Sequence, residues 1–236
     1  MKLIIWNANM AFRKKAHLLM RYKPDILIIP ECENPERLKF PLPEIIPNDI
    51  IWQGTNVNKG LAVLSFGTYK LKLMDEHDDR LRTILPITVT GGEKEFILFG
   101  IWANNPADKP NQYIGQVWKA LHCYEHLINN TPVILAGDFN SNTIWDKPRR
   151  EGNHSTVVER LAERGIQSTY HHHFNLLQSK EEHPTFLLYR HKDKPYHLDY
   201  CFASADLMAD LVSVEVGTYE DWNSYSDHCP LIVEFK

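Results

Sequence analysis

Short apolar runs recur along this chain, and one after another they end in an acid or an amide. Pro132-Val133-Ile134-Leu135-Ala136 leads into Gly137-Asp138-Phe139-Asn140, and Ile4-Ile5-Trp6 into Asn7-Ala8-Asn9. Ile26-Leu27-Ile28-Ile29-Pro30 leads into Glu31, and Phe99-Gly100-Ile101-Trp102 into Ala103-Asn104-Asn105. The theme returns at Tyr196-His197-Leu198-Asp199 and at Ser226-Asp227-His228. Such runs read as buried strands. Residues two apart in an extended chain face the same side, so Asp138 and Asn140 can address one ligand while Phe139 packs the other way. The pattern predicts a single acidic, amide-rich and imidazole-bearing site on the rim of a sheet.

Other stretches fill in the frame. Apolar positions at helical spacing predict helices over 10–22, stopped by Pro24, and over 112–127, where Ile114, Val117, Trp118, Leu121 and Tyr124 form the stripe. Thr156 with Glu159 resembles a capping box for a third helix running to Gly165. Strands are expected over 25–30, 50–53, 61–66, 69–73, 81–90, 95–102, 132–136, 198–203, 211–216 and 231–235, with Gly91-Gly92 as a hairpin turn. The proline-rich stretch 36–48 reads as a loop. Trp6-Asn7-Ala8-Asn9 is echoed by Trp102-Ala103-Asn104-Asn105, which hints at two similar halves.

A length of 236 residues without an evident linker is read as one domain, 1–236. No apolar run approaches the ~20 residues that span a bilayer. The N-terminal segment turns polar too soon for a secretory signal, so a cytoplasmic location is expected. Cys32, Cys123, Cys201 and Cys229 form no close pair and read as reduced. The net charge of −4 offers no broad basic surface, which weakens a non-catalytic nucleic-acid binder but leaves room for an enzyme with a local basic strip.

Each candidate also has an ordinary reading. Gly-Asp-x-Asn alone is common turn chemistry. Glu31, closing a wholly apolar strand, must be solvated, paired or metal-bound, and Mg²⁺ prefers such hard oxygen donors. His228 gains interest from Asp199, since a carboxylate on one ring nitrogen fixes the tautomer and favours the cation. His171, His172, His173, His183, His191 and His197 fit no common structural zinc spacing. His154 is a candidate substrate contact, although a helix-start residue explains it too. Arg149, in Lys147-Pro148-Arg149-Arg150, is a candidate phosphate contact, and Trp145 a candidate stacking surface. No Gly-x-Ser-x-Gly elbow, Walker A loop or dinucleotide fingerprint occurs.

Gly137-Asp138-Phe139-Asn140 together with Ser226-Asp227-His228, in this order and with Trp6-Asn7 and Glu31 ahead of them, resembles the endonuclease/exonuclease/phosphatase superfamily (exonuclease III, apurinic endonucleases, deoxyribonuclease I) over nearly the whole chain. The resemblance implies an α/β (α+β) fold, a four-layer α/β/β/α sandwich of two packed, mostly antiparallel sheets flanked by helices. It further implies Glu31 as principal metal ligand with Asn7, Asn9 and Asp227 nearby. Asp138 is implied as the group that orients or deprotonates water with Asn140 beside it, His228 with Asp199 as the phosphoryl contact, and Asn105 as a phosphate-contacting amide. Trp102 stands where the nuclease branch commonly has Tyr, and an indole cannot ionise or accept a hydrogen bond as a phenol does. Asn9 stands where Asp is frequent, which lowers the local negative charge.

The expectation is Mg²⁺-dependent hydrolysis of phosphodiester bonds, with Mn²⁺ as the alternative ion, in nucleic acid and first of all DNA. No membrane and no obligate protein partner are expected. The competing readings are a phosphatase or phosphodiesterase for a small or lipid-derived ester, and a binding module that has lost catalysis.

Overall fold

The computed structural model describes residues 1–38, 46–105, 112–129 and 132–236. In chain order the elements are β1 (Lys2–Ile5), α1 (Ala16–Met20), β2 (Ile26–Cys32), β3 (Asp49–Asn56), β4 (Lys59–Ser65), β5 (Lys70–Leu73), β6 (Ile84–Thr90), β7 (Phe96–Trp102), α2 (Ile114–Cys123) and α3 (Glu125–Ile128). Then come β8 (Val133–Asp138), α4 (His154–Ala162), β9 (Ile166–Ser168), α5 (Thr169–Phe174), β10 (Phe186–Leu187), β11 (Pro195–Tyr196), β12 (Asp199–Ser204), α6 (Ala205–Met208), β13 (Leu211–Val216), α7 (Tyr219–Trp222) and β14 (Leu231–Phe235).

Two six-stranded sheets result, ordered β13-β14-β1-β2-β4-β3 and β5-β6-β7-β8-β12-β9. Each is antiparallel except for one central parallel pair, β1 with β2 and β7 with β8. That shared pattern is the structural form of the echo between Trp6-Asn7 and Trp102-Ala103. Alternation along the strands sends Leu3, Ile5, Ile28 and Val63 of the first sheet against Leu85, Leu98, Ile134 and Cys201 of the second. The opposite faces take helices: Ile4, Leu27 and Ile29 pack with Leu19 and Trp222, while Phe99, Leu135 and Phe202 pack with Val117, Leu121 and Val157. The sandwich therefore has four layers. Strands buried on both faces are apolar throughout, and each fully buried Leu or Ile contributes roughly 1.5–3 kcal/mol.

The parallel pair β7/β8 brings the rim residues together, with Trp102 in register with Asp138. Its closeness depends on Gly137, which sits at φ 150° where an added Cβ would lie 1.9 Å from the Ile101 carbonyl oxygen. Gly137→Ala is expected to lower unfolding free energy by about 3 kcal/mol, the upper range for a single substitution, as read from urea titration.

Several boundaries differ from the periodicity. The expected helix over 10–22 is a single 3-10 turn (Phe12–Lys14) followed by the short α1. Asn9, Met10 and Ala11 all take positive φ, which bends the chain before any helix can start. The Glu33 carboxylate then accepts from the Phe12 and Arg13 amides. The long helix over 112–127 breaks at Tyr124 (φ −107°), giving α2 and α3. Leu81 belongs to a 3-10 turn rather than to β6. Helix α4 starts two residues before Thr156, because Asp146 accepts from the His154 and Ser155 amides and takes over the capping role. Within the expected loop 36–48, residues 39–45 lie outside the described residues.

Candidate active site

Asp138 ends β8 and Asp199 opens β12, and the two are cross-strand partners. Like charges directly opposite repel, so this pair needs compensation. Asp138 receives it from three N–H donors. Asn7 Nδ2 and Asn140 Nδ2 each donate to Oδ2 at 3.0 Å, and the Asn140 amide donates to Oδ1 at 2.8 Å. The carboxyl group is fully buried. Burial, then the facing Asp199, push its pKa up to about 7, against the lowering influence of His228 and the Asn7 and Asn140 donors.

His228 lies just before β14, and its ring Nδ1 donates to Asp199 Oδ2 at 2.8 Å. Burial disfavours the cation, but Asp199 outweighs it, with help from Asp138, and raises the pKa to about 9. The Phe186 ring covers the imidazole at 4.7 Å. The His228 backbone is clamped from the far end of the chain. Its N–H donates to Ser226 Oγ (3.0 Å), Ser226 Oγ donates to the Asn7 carbonyl (2.7 Å), and Trp6 Nε1 donates to the His228 carbonyl (2.9 Å). Thr185 Oγ1 accepts from the amides of Leu198 and Asp199, which fixes the other member of the pair. The second Asp199 oxygen, Oδ1, is buried without a hydrogen-bond partner among the described residues.

Glu31 is the extra residue of a β-bulge, between Pro30 opposite Leu61 and Cys32 opposite Gly60. Its φ of 58° is a strained value for a non-glycine residue, and a bulge re-aims its side chain. The carboxylate meets Lys59 Nζ at 3.0 Å. The neighbouring loop lies alongside, with the Met10 amide donating to the Glu31 carbonyl at 3.1 Å. Asn9 donates from its amide to Asn7 Oδ1 and from Nδ2 to Asp227 Oδ1, both at 3.0 Å. Glu31, Asn7, Asn9 and Asp227 thus share one stretch of rim.

The donor chemistry suits a hard divalent ion there. Glu31 and Asp227 are carboxylates, and Asn7 Oδ1 keeps a second lone pair. Ligand atoms of Asp138, Asp199 and His228 also lie within 4.8 Å of one another. That trio contains a proton-bearing imidazole, which donates rather than ligates, so its chemistry is better matched to proton handling and its orphaned Asp199 oxygen to an incoming donor or cation.

Two cavities flank this rim. One, of about 560 Å³, is lined by Asn140, Asn142, Trp145, Phe186 and Leu198. Trp145, 44 % exposed, stands in its wall against Tyr196. His154 lines it from behind; only 1 % exposed, it pairs Nδ1 with Ser141 Oγ at 2.8 Å. Arg149 is exposed, and it is Arg150 that lines the cavity. The other cavity, of about 490 Å³, is lined by Trp102, Asn104, Lys59, Arg82 and Lys119. Asn105 is exposed at the exit of β7. Ser226, Thr185 and Lys59 carry weight that spacing alone did not assign, since each acts through a partner remote in the chain.

Neither a family model nor a curated protein sequence matches the chain. Solved structures do. An AP endonuclease from Archaeoglobus fulgidus superposes with a TM-score of 0.71 at 19% identity, covering 100% of this chain and 99% of that one. A Neisseria 3′ phosphatase bound to a product DNA hairpin gives 0.72 at 18%, with 100% and 99% covered. An AP endonuclease from Leishmania major gives 0.73 at 14%, with 100% and 87% covered. The chain has the exonuclease III/deoxyribonuclease I-like fold. In this exonuclease III-like sandwich the rim just described lies where strand ends of both sheets meet, with β1 and β2 from one and β8 and β12 from the other.

The exonuclease III-like frame holds two buried neutral imidazoles behind the site. Burial lowers the pKa of His154 and of His197 to about 4. Unfolding returns each toward ~6.5, so the unfolded chain binds more protons below that value. Their contribution is complete above pH ~6.5 and declines as pH falls toward about 4, by about 2 kcal/mol each at pH 5. Asp138 and His228, with raised pKa values, act in the opposite direction over the same range, so the check is urea unfolding of His154→Gln beside the parent at pH 7 and 5: a stability difference between the two that is the same at both pH values would contradict this.

Proposed function

We propose that this protein hydrolyses phosphodiester bonds in DNA with the help of a divalent cation, Mg²⁺ in the first instance. The observation that carries the reading is the convergence of a raised-pKa carboxyl group, Asp138, and a carboxylate-paired imidazole, His228, on one buried rim beside Glu31. The neighbouring folds include AP endonucleases and a 3′ phosphatase bound to a DNA hairpin product, which favours DNA over other esters.

Glu31, Asn7 and Asp227 would hold the ion, which when bound supplies charge neutralisation at the phosphoryl group. Asp138, oriented by Asn7 and Asn140, accepts the proton of the attacking water on a carboxylate oxygen. The Nε2–H of protonated His228 and the side chains of Asn140 and Asn105 face the charge that builds on the phosphoryl oxygens. Trp102 and Trp145 offer flat faces to sugar or base, and Arg149 and Arg150 offer phosphate contacts. No helix among the described residues is long and apolar enough to cross a membrane, and all four cysteines are free; a cytoplasmic site of action goes with this reading.

The test is a panel of abasic, single-stranded and plasmid DNA, RNA and inositol phosphates, each with Mg²⁺ and with chelator. Chelator-sensitive cleavage of DNA is expected. Turnover restricted to the small esters would move the assignment to a phosphatase or phosphodiesterase, and activity indifferent to chelator would remove the cation from it.

A further inference from the structure

Lys59 belongs to two places at once. It is the first residue of β4, following the turn at Val57-Asn58, and the bulge in β2 aims Glu31 at it. Its Nζ lies 3.0 Å from Glu31 Oε1 and 5.3 Å from the centre of the Trp102 ring. Trp102 and Lys59 in turn line the 490 Å³ cavity, whose wall also carries Arg82 and Lys119. Arg82 reaches Asp79 only at 3.8 Å, and Lys119 makes no ion pair among the described residues. Among the described residues Asp78 and Asp79 neutralise this charge only in part, and the cavity stays basic a few ångströms from a carboxylate that is paired with an ammonium.

An ammonium and a divalent ion compete for the same carboxylate oxygen, because like charges at contact distance repel. The Lys59 side chain is 40 % exposed, and its four-carbon stem is flexible. Once displaced from Glu31, its ammonium has Trp102 and the basic cavity within reach. We propose that Lys59 is a shuttling cation: it guards Glu31 in the metal-free protein, and when a divalent ion takes that carboxylate it joins Arg82 and Lys119 in holding a second phosphate of the substrate, the one flanking the scissile group. The inference rests on the phosphoesterase reading and adds a substrate requirement to it, at least two phosphates with one seated beside Trp102. It also makes ion binding and polyanion binding mutually reinforcing, since the ion frees the ammonium for the phosphate and the phosphate draws it off the carboxylate.

Calorimetry with Mn²⁺, alone and with saturating thymidine 3′,5′-bisphosphate, tests this on the parent chain, Lys59→Met, Lys59→Arg and Arg82→Gln. Lys59→Met should bind Mn²⁺ alone about tenfold more tightly than the parent, while Lys59→Arg, which keeps the charge, should match the parent. The bisphosphate should tighten Mn²⁺ binding in the parent about tenfold and scarcely at all in Lys59→Met. Arg82→Gln should weaken the bisphosphate and leave Mn²⁺ alone unchanged. Equal or weaker Mn²⁺ binding by Lys59→Met, or full linkage retained in it, would overturn the proposal while leaving the phosphoesterase reading intact. A parent chain that binds no Mn²⁺ would instead bring down the metal site on which both stand.

Discussion

Asp138→Asn is expected to turn over DNA about 10³-fold more slowly than the parent chain, within the usual range for loss of a positioned acid–base group. The reason is local. Asp138 is fully buried and accepts three N–H donors, and its raised pKa places it where it can both release and accept a proton near neutrality. An amide at this position turns one acceptor oxygen into a donor, facing either both Asn7 Nδ2 and Asn140 Nδ2 across about 3.0 Å or the Asn140 backbone N–H across about 2.8 Å. Part of the lost hydrogen bonding is offset by removing a like charge opposite Asp199, so the fold should survive. Single-turnover cleavage of end-labelled DNA, with a melting curve alongside, is the measurement. Turnover within a few-fold of the parent, with the fold intact, would remove Asp138 from the chemistry.

Asp199→Asn should lower turnover at pH 8 by about 10²-fold, comparable to losing one transition-state donor, and should also change the shape of the pH profile. In the parent, activity rises as Asp138 deprotonates, with about 7 as the upper bound for that limb because a bound cation lowers it further. Activity then falls as His228 loses its proton near 9. Asp199 is the main influence holding that proton against burial. With an amide in its place, only Asp138 and Asp227 oppose burial, and the falling limb should move to lower pH. A variant that loses activity yet keeps its alkaline limb near 9 would mean that Asp199 serves the backbone geometry fixed by Thr185 rather than the charge on His228.

The strands that build the site were legible because they are buried on both faces and so are apolar up to Asp138 in Val133–Asp138 and up to Glu31 in Ile26–Cys32. Their polar last residues stood out for the same reason. The pairing of His228 with Asp199 could be anticipated from chemistry, since two isolated polar groups at strand ends need partners. Elements held by remote contacts were not legible. The segment 166–196 yields β9, α5, β10 and β11, where a His-rich stretch offers no period. There Glu181 bonds His171, Tyr170 bonds His183, and Thr185 bonds two amides near Asp199. The start of α1 was misread because Phe12, Ala16 and Leu19 keep helical spacing even though positive φ at Asn9, Met10 and Ala11 delays the helix. Lys59 carries no signal in the sequence, since the bulge that aims Glu31 at it is a matter of register, not of composition.

Strand β14 lies between β13 and β1, and the links from Ser226 to Asn7, from Trp6 to His228 and from Asn9 to Asp227 all join opposite ends of the polypeptide. Removal of residues 226–235 should therefore leave β1 without one of its two neighbours and the rim without His228, so that the first sheet and the site are lost together.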